Sequence, residues 1–448
     1  MSSHTGPPGP RGVPIAGSLP RYADDPFRFV TELRDAYGDV AAFDLGPNRT
    51  YLLTTPAAVE RVLVTDESAF SKPTFQTDAL GALLGEGLLL SEGETWRERR
   101  DIAGPAFAPD RVSSLAPLMA ERATAMVDRW ADGEQRDIEW EMTRTALEII
   151  VDAMFGIDLD PGRTRQIRRL LEPIGRRFEP DPRRLLVPDW VPTTGQREFD
   201  RSIAELERIV EGFVDRRRRR GIDDDRDLLA LLLRAREAEG IDDEGIRDEL
   251  LTMLLAGHDT TALVLTYAWA LLADHPAVER RVHEEVDALF EDRDDPTDLT
   301  AADVRGLTTL RNVLRETMRL YPPVYALFRQ VDRPIEVSGY RLPEESLVLL
   351  SQWATHRDPR YFDRPDRFDP DRWTDPSHPT YAYFPFGAGP RSCIGTGFTM
   401  LEAPIIAAVV ARDFRLQRVE SGPIELRGSL TAHPADGMAM ELVRRSRS

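Results

Sequence analysis

The stretch FPFGAGPRSCIG, residues 384–395, holds the one cysteine of a 448-residue chain. A lone thiol forms no internal disulfide, multi-cysteine zinc site or cysteine-held iron–sulfur cluster, so its chemistry is that of a single sulfur. Gly387 and Gly389 permit tight turns at positive φ, and Gly395 lets the loop lie flat against something large. An apolar helical pattern starts just after Cys393. It brings backbone amides and the positive end of a helix dipole to the thiol, and Arg391 offers a cation on the same side. A thiolate held this way is a poor general nucleophile and a good axial ligand for iron. A cysteine nucleophile is the second reading, and an inert small apolar side chain the plainest one.

Two further clusters carry chemistry. Ala256-Gly257-His258-Asp259-Thr260-Thr261 interrupts an apolar run with a glycine, an acid and two hydroxyls. A purely structural account has Thr260 bonding back to the Ala256 carbonyl and bending a helix. The functional account has the glycine admitting close approach and an Asp259–Thr260 pair relaying protons. In LRNVLRETMRLYPP, Glu316 and Arg319 stand three apart on one helix face. A surface pair is worth well under ~1 kcal/mol. Joined by Arg372 of FDPDRW, the two would form a buried network that fixes the cysteine loop, a scaffold role.

These side chains need a framework, and the chain supplies one. Residues 6–20, rich in Pro and Gly, read as an extended leader rather than a packed element. DVAAFDLG and RTYLLTT read as short strands. From Pro56 to Glu291 the pattern is overwhelmingly helical, with runs over 113–131, 137–155 and 196–220. The longest run is DDEGIRDELLTMLLAGHDTTALVLTYAWALLADHP. Aspartates cap its start and Pro276 stops it, and at about 1.5 Å per residue it reaches roughly 50 Å, so it must cross the core. Arg216 to Arg220 read as a solvated helix end that complements the dipole, and Asp223–Asp225 and Glu291–Asp295 as exposed loops. Beyond Asp332 come paired strands, a proline-punctuated meander, the cysteine loop, a helix to about Arg412 and irregular strand. The fold class is α+β, predominantly α-helical, with a large helical body and a small β-rich region. Size alone suggests two or three domains.

With 41% hydrophobic and 30% charged residues and a mean hydropathy of −0.38, the chain can bury a large core. No interior stretch approaches the roughly 18 uncharged apolar residues that span a bilayer, and the N-terminus lacks a signal peptide's apolar centre. A cytoplasmic protein without membrane insertion is expected. The balance of 58 basic against 77 acidic side chains, −19, argues against a nucleic-acid partner. Lys72 is the only lysine; GC-rich coding and adaptation to high salt both account for that.

Taken together, these segments closely resemble the cytochrome P-450 family of haem-thiolate monooxygenases. FPFGAGPRSCIG resembles its haem-binding loop, with Phe386, Gly387, Gly389, Arg391, Cys393 and Gly395 at the motif positions. Glu316-Thr317-Met318-Arg319, completed by Arg372, is similar to its E-x-x-R, and Ala256-Gly257-His258-Asp259-Thr260 to its oxygen-activation motif. The resemblance implies that Cys393 is the proximal iron ligand, that Asp259 and Thr260 deliver protons with Gly257 leaving room for oxygen, and that Trp96, Arg100, Arg329 and Arg391 hold the propionates of haem b. It further implies the P-450 fold, with 1–20 as a leader and 21–448 as one catalytic domain. The implied reaction inserts one atom of O2 into a C–H bond of an apolar substrate, fed by ferredoxin or flavoprotein donors. Leu89, Ala326-Leu327 and Leu430-Thr431 would line the pocket. Trp96, where bacterial relatives often carry histidine, hints at a long lipid-like substrate. The proline-rich leader resembles the hinge of membrane-bound relatives, but no anchor precedes it and no flavin or ferredoxin domain follows Ser448. A peroxygenase or isomerase on the same fold and a gas-sensing haem protein are the alternatives; the intact Asp259–Thr260 pair favours the monooxygenase.

Overall fold

The computed structural model describes residues 6–446 apart from 178, 180–193, 223–226, 239 and 294. The acidic cluster at Asp223–Asp225 therefore lies outside the described residues. Near the N-terminus, β1 (Val40–Leu45) and β2 (Asn48–Leu53) pair antiparallel, as their alternating patterns predict. They join β3 (Phe70–Ser71), β4 (Leu327–Val331) and β5 (Leu347–Leu350) in a sheet of order β1-β2-β5-β4-β3, in which only the β2–β5 pairing is parallel. The leader is packed, contrary to the sequence expectation. Pro8 accepts from the Ala42 amide at 2.8 Å and the Ser18 amide donates to Asp44 at 2.6 Å, so the segment runs along the open edge of β1. Gly9 makes this approach possible, because a Cβ there would meet the Ala42 carbonyl at 1.7 Å.

The helical body contains α1 (Gly93–Ala103), α2 (Ile138–Phe155), α3 (Thr194–Arg220), α4 (Asp243–Asp274), α5 (Thr308–Leu320) and α6 (Thr396–Asp413). The expected long helix is α4, 32 residues. Asp242 caps it by accepting from the Gly245 amide at 2.8 Å, and Asp243 and Glu244 occupy its first turn, where acids suit the dipole. It ends at His275, which precedes proline and so leaves the helical region. Leu250, Leu254, Ala262 and Leu265 are fully buried, so α4 crosses the core and α2 packs along it. The helix is continuous through its polar centre, and Thr260 does bond back to the Ala256 carbonyl, at 3.3 Å.

At the end of α3 the solvated reading fails at one residue. Arg217 is 2% exposed and pairs with Asp227, because the segment after α3 supplies that carboxylate and the end of α2 the Phe155 carbonyl at 3.2 Å. A short hairpin, β6 (Leu426–Gly428) and β7 (Ala432–Pro434), returns the C-terminal segment to α4, where the Tyr267 hydroxyl donates to the Ala432 carbonyl at 2.7 Å. Among the described residues no helix is long and apolar enough to cross a membrane.

Candidate active site

Glu316 and Arg319 of α5 are fully buried, and Arg319 forks onto Glu316 through two bonds of 2.8 and 2.9 Å. Arg372, the Trp373 indole and the Asp369 amide each reach Glu316 at 3.0 Å, while Arg319 also donates to the carbonyls of His356 and Pro365. Every polar atom of the pair thus meets a partner, which is the condition for a buried ion pair to persist. The meander fixed in this way leads directly to the cysteine loop. Gln352 donates to the Phe384 carbonyl at 2.8 Å and the Phe384 amide reaches His356 at 3.0 Å.

The loop closes on itself where the Cys393 amide donates to the Phe386 carbonyl at 2.9 Å. Gly387 (φ 69°) and Gly389 (φ 70°) adopt the positive φ their type suggests. Gly389 is doubly constrained, since a Cβ would stand 1.9 Å from the Leu63 carbonyl. Cys393 lies one turn ahead of α6 and lines a cavity of about 1430 Å3. Burial of its surroundings pushes the thiol pKa up, while the Gly395 amide, Arg100 and Thr396 pull it down. Burial prevails, so the shift is upward, opposite to the lowering that a helix dipole at the thiol would give. Arg391 is engaged elsewhere. It donates to the Ser91 carbonyl at 2.9 Å, pairs with Glu92 and lies 4.5 Å from the centre of the Trp96 ring.

Twelve residues that the sequence singles out line this one cavity: Trp96, Arg100, Ala256, Gly257, Asp259, Thr260, Arg329, Phe386, Gly387, Arg391, Cys393 and Gly395. Leu89, Ala326, Leu327, Leu430 and Thr431 line it too. Gly257 has a further duty, since a Cβ would press on Ile150 of α2 at 2.8 Å.

One side of the cavity is crowded with cations. Lys72 donates to the Ser91 carbonyl at 3.0 Å, and burial followed by repulsion from Arg391 lowers its pKa to about 7. Burial and Arg391 bring Arg329 down to about 10. Arg100, which donates to the Ser392 carbonyl at 2.9 Å, is lowered by burial. Glu92 opposes Lys72, Arg329 and Arg391, and Glu67 the two arginines, only in part. A dianionic ligand would relieve the excess, and a flat apolar body with two carboxylates fits both the glycine-lined loop and this rim. Lys72 escaped the sequence reading as a functional residue; its being the only lysine was the available signal.

On the α4 side, Asp259 accepts from Thr431 at 2.6 Å and faces the His433 ring at 3.3 Å. Burial alone would raise its pKa, but His433, His258 and the Thr431 hydroxyl hold it well below the usual carboxylate range. Burial would lower that of His433, yet Asp259 and Glu139 carry it far above the imidazole norm. Neither His433 nor Glu139 stood out in the sequence.

A lone cysteine, the Glu316–Arg319–Arg372 scaffold behind its loop and a cavity of about 1430 Å3 under one long helix now stand together. A family model described as cytochrome P450 matches residues 7–437. The chain belongs to the cytochrome P450 family. It is 33% identical to cyclooctat-9-en-7-ol 5-monooxygenase and 34% identical to cyclooctatin synthase, both of Streptomyces melanosporofaciens. These alignments cover 92% and 96% of this chain and 89% and 94% of the relatives. The crystal structure of the cytochrome P450DA heme domain superposes with a TM-score of 0.87 at 26% identity, covering 98% of both chains. The enzyme is accordingly a haem-thiolate monooxygenase of α+β, mainly helical fold that hydroxylates organic substrates with O2 and electrons from redox partners.

Proposed function

We propose that Cys393 is the proximal ligand of a b-type haem and that the substrate is a bulky, largely hydrocarbon molecule. The cavity carries this reading, since the thiol, the cation rim and the Asp259–Thr260 pair all face one largely apolar space. The first relative is named for oxidising an alkenol, cyclooctat-9-en-7-ol, which is of this character. In this reading Arg100, Arg329, Arg391 and Trp96 hold the propionates with Lys72, by charge-assisted bonds in a water-poor rim. Phe386, Gly387, Gly395, Ala256 and Gly257 present flat walls. Bound haem supplies the activation of dioxygen. Asp259, at Oδ2, takes protons from the polar end of the cavity, and Thr260, at Oγ1, passes them on after exchanging its bond to the Ala256 carbonyl. Electrons come from a ferredoxin or flavoprotein in the cytoplasm, because the lone cysteine rules out a cysteine-held cluster, and residues 21–448 act as one catalytic unit.

Cys393→Ser tests the ligand. The ferrous protein with carbon monoxide should lose the red-shifted Soret band of thiolate ligation, and a variant that keeps it has another ligand. Titrating holoenzyme with polycyclic alkenes, alkenols and fatty acids, read as the low-to-high-spin shift, tests the substrate class; a response to fatty acids alone rejects it.

A further inference from the structure

The polar end of the cavity contains a cluster that the family motifs do not explain. His433, in β7, has both ring nitrogens engaged: Nδ1 lies 2.8 Å from Glu139 Oε1, and Nε2 lies 2.9 Å from Thr431 Oγ1 and 3.3 Å from Asp259 Oδ2. With Asp259 and Glu139 both ionised, hydrogen-bond logic fixes the protons. Thr431 gives its one hydrogen to Asp259 at 2.6 Å, so toward His433 it accepts, and Nε2 must carry a proton. An ionised Glu139 only accepts, so Nδ1 carries one as well. The ring is therefore an imidazolium between two carboxylates.

Its seat is rigid. The hairpin is tied down by Tyr267 to the Ala432 carbonyl, by the Ala432 amide to Pro323 at 2.8 Å and by the Tyr325 hydroxyl to Ser429 at 3.1 Å. Glu139 stands in the first turn of α2 and Asp259 at the centre of α4, so the ring bridges three elements. Among the described residues, the other charged or titratable groups facing this cluster include Tyr267 of α4, whose burial and the nearby Glu139 and Asp259 charges raise its pKa. His258 is buried on α4 with Nδ1 on the Leu254 carbonyl. Arg168, on the helix Pro161–Arg177, lies over the Trp140 ring at 4.2 Å. Arg427, across the hairpin from His433, reaches Glu179 at 3.3 Å.

We propose that His433, clamped by Glu139, is a positioning residue for the acid–alcohol pair: it fixes the Asp259 carboxylate and governs when that carboxylate takes up a proton. This rests on the reading of Asp259 as the proton-handling acid. Removing the cation while leaving the hydrogen bonds should make Asp259 easier to protonate, so the acid limb of coupled turnover moves to higher pH. Glu139 acts at one remove, by keeping the ring charged.

The test uses holoenzyme with carbon monoxide bound, a diamagnetic form suited to imidazole nitrogen NMR. The chain has seven histidines, and His433→Gln assigns the signal that disappears. In the wild type, His433 should titrate well above ~6.5, and Glu139→Gln and Asp259→Asn should each bring it down by about one pH unit or more. In His433→Gln, product formed per electron consumed should fall severalfold and the acid limb should rise by about one pH unit. A ring that titrates near ~6.5 and ignores Glu139→Gln overturns the proposal. Asp259→Asn separates the two ideas. If it leaves coupling intact, the reading of Asp259 fails; if it uncouples while His433→Gln keeps the wild-type pH profile, only the role of His433 fails. The carbon monoxide Soret band certifies folding of each variant, and His433→Asn replaces any variant that loses it.

Discussion

Glu402, on the helix that follows the thiol, is fully enclosed, with the Thr261 hydroxyl beside its carboxyl. Burial raises its pKa to about 8, against a small opposing pull from Thr261. The folded chain therefore holds a proton that the unfolded chain releases near ~4.3, so this group costs stability increasingly as pH rises from there to about 8. Glu402→Gln removes the titration. Its thermal stability relative to wild type should improve by a few kcal/mol between about pH 5 and about pH 9, and a constant difference across that range would show that the carboxyl is already ionised. Local sequence announces some of these residues and hides others. Cys393 and its glycines were legible because the turns that demand positive φ lie within one short loop, whereas the second demand on Gly389, from the Leu63 carbonyl, was not. His433 and Glu139 were not, because 294 positions separate them and each looks ordinary without the other. Lys72 was visible as a rarity, but the charges that make it matter come from Arg329 and Arg391, which only the fold brings close.

The elements that hold the site divide in the same way. The bounds of α4 could be read from its capping aspartates and the proline beyond, and its polar centre from the break in an apolar run. That Gly257 spares Ile150 could not, since the demand comes from another helix. The arginine-rich end of α3 reads as solvated by every local criterion; Arg217 is buried only because Asp227 folds back to meet it. On α5 the Glu316–Arg319 spacing suggested a pair, while its complete enclosure followed from the meander. Arg319→Leu leaves Glu316 buried with fewer cations and frees the carbonyls that Arg319 orders. A loss of about 3–5 kcal/mol is expected, read as a lowered midpoint in denaturant together with diminished haem incorporation. An unchanged midpoint would make the pair dispensable as scaffold.

For the molecule as a whole, an acidic chain of net charge −19 brings Lys72, Arg100, Arg329 and Arg391 to the lining of the cavity that Cys393 faces. Protein freed of haem must bear that repulsion, so its melting temperature should fall on extraction and recover on reconstitution. A ligand at ~1,000 times its dissociation constant adds about 4 kcal/mol. Millimolar sulfate or phosphate should restore part of the loss in the haem-free form alone, and equal effects on both forms would remove the charge explanation. The packed leader has a consequence of another kind. β1 ends its sheet, and an uncovered terminal strand invites pairing with a second molecule. Prolines that cannot donate, laid along that margin with Pro8 and Ser18 already engaged, act as a selvedge against fibrous self-association. Trimming the amino terminus to tidy an expression clone would unpick it.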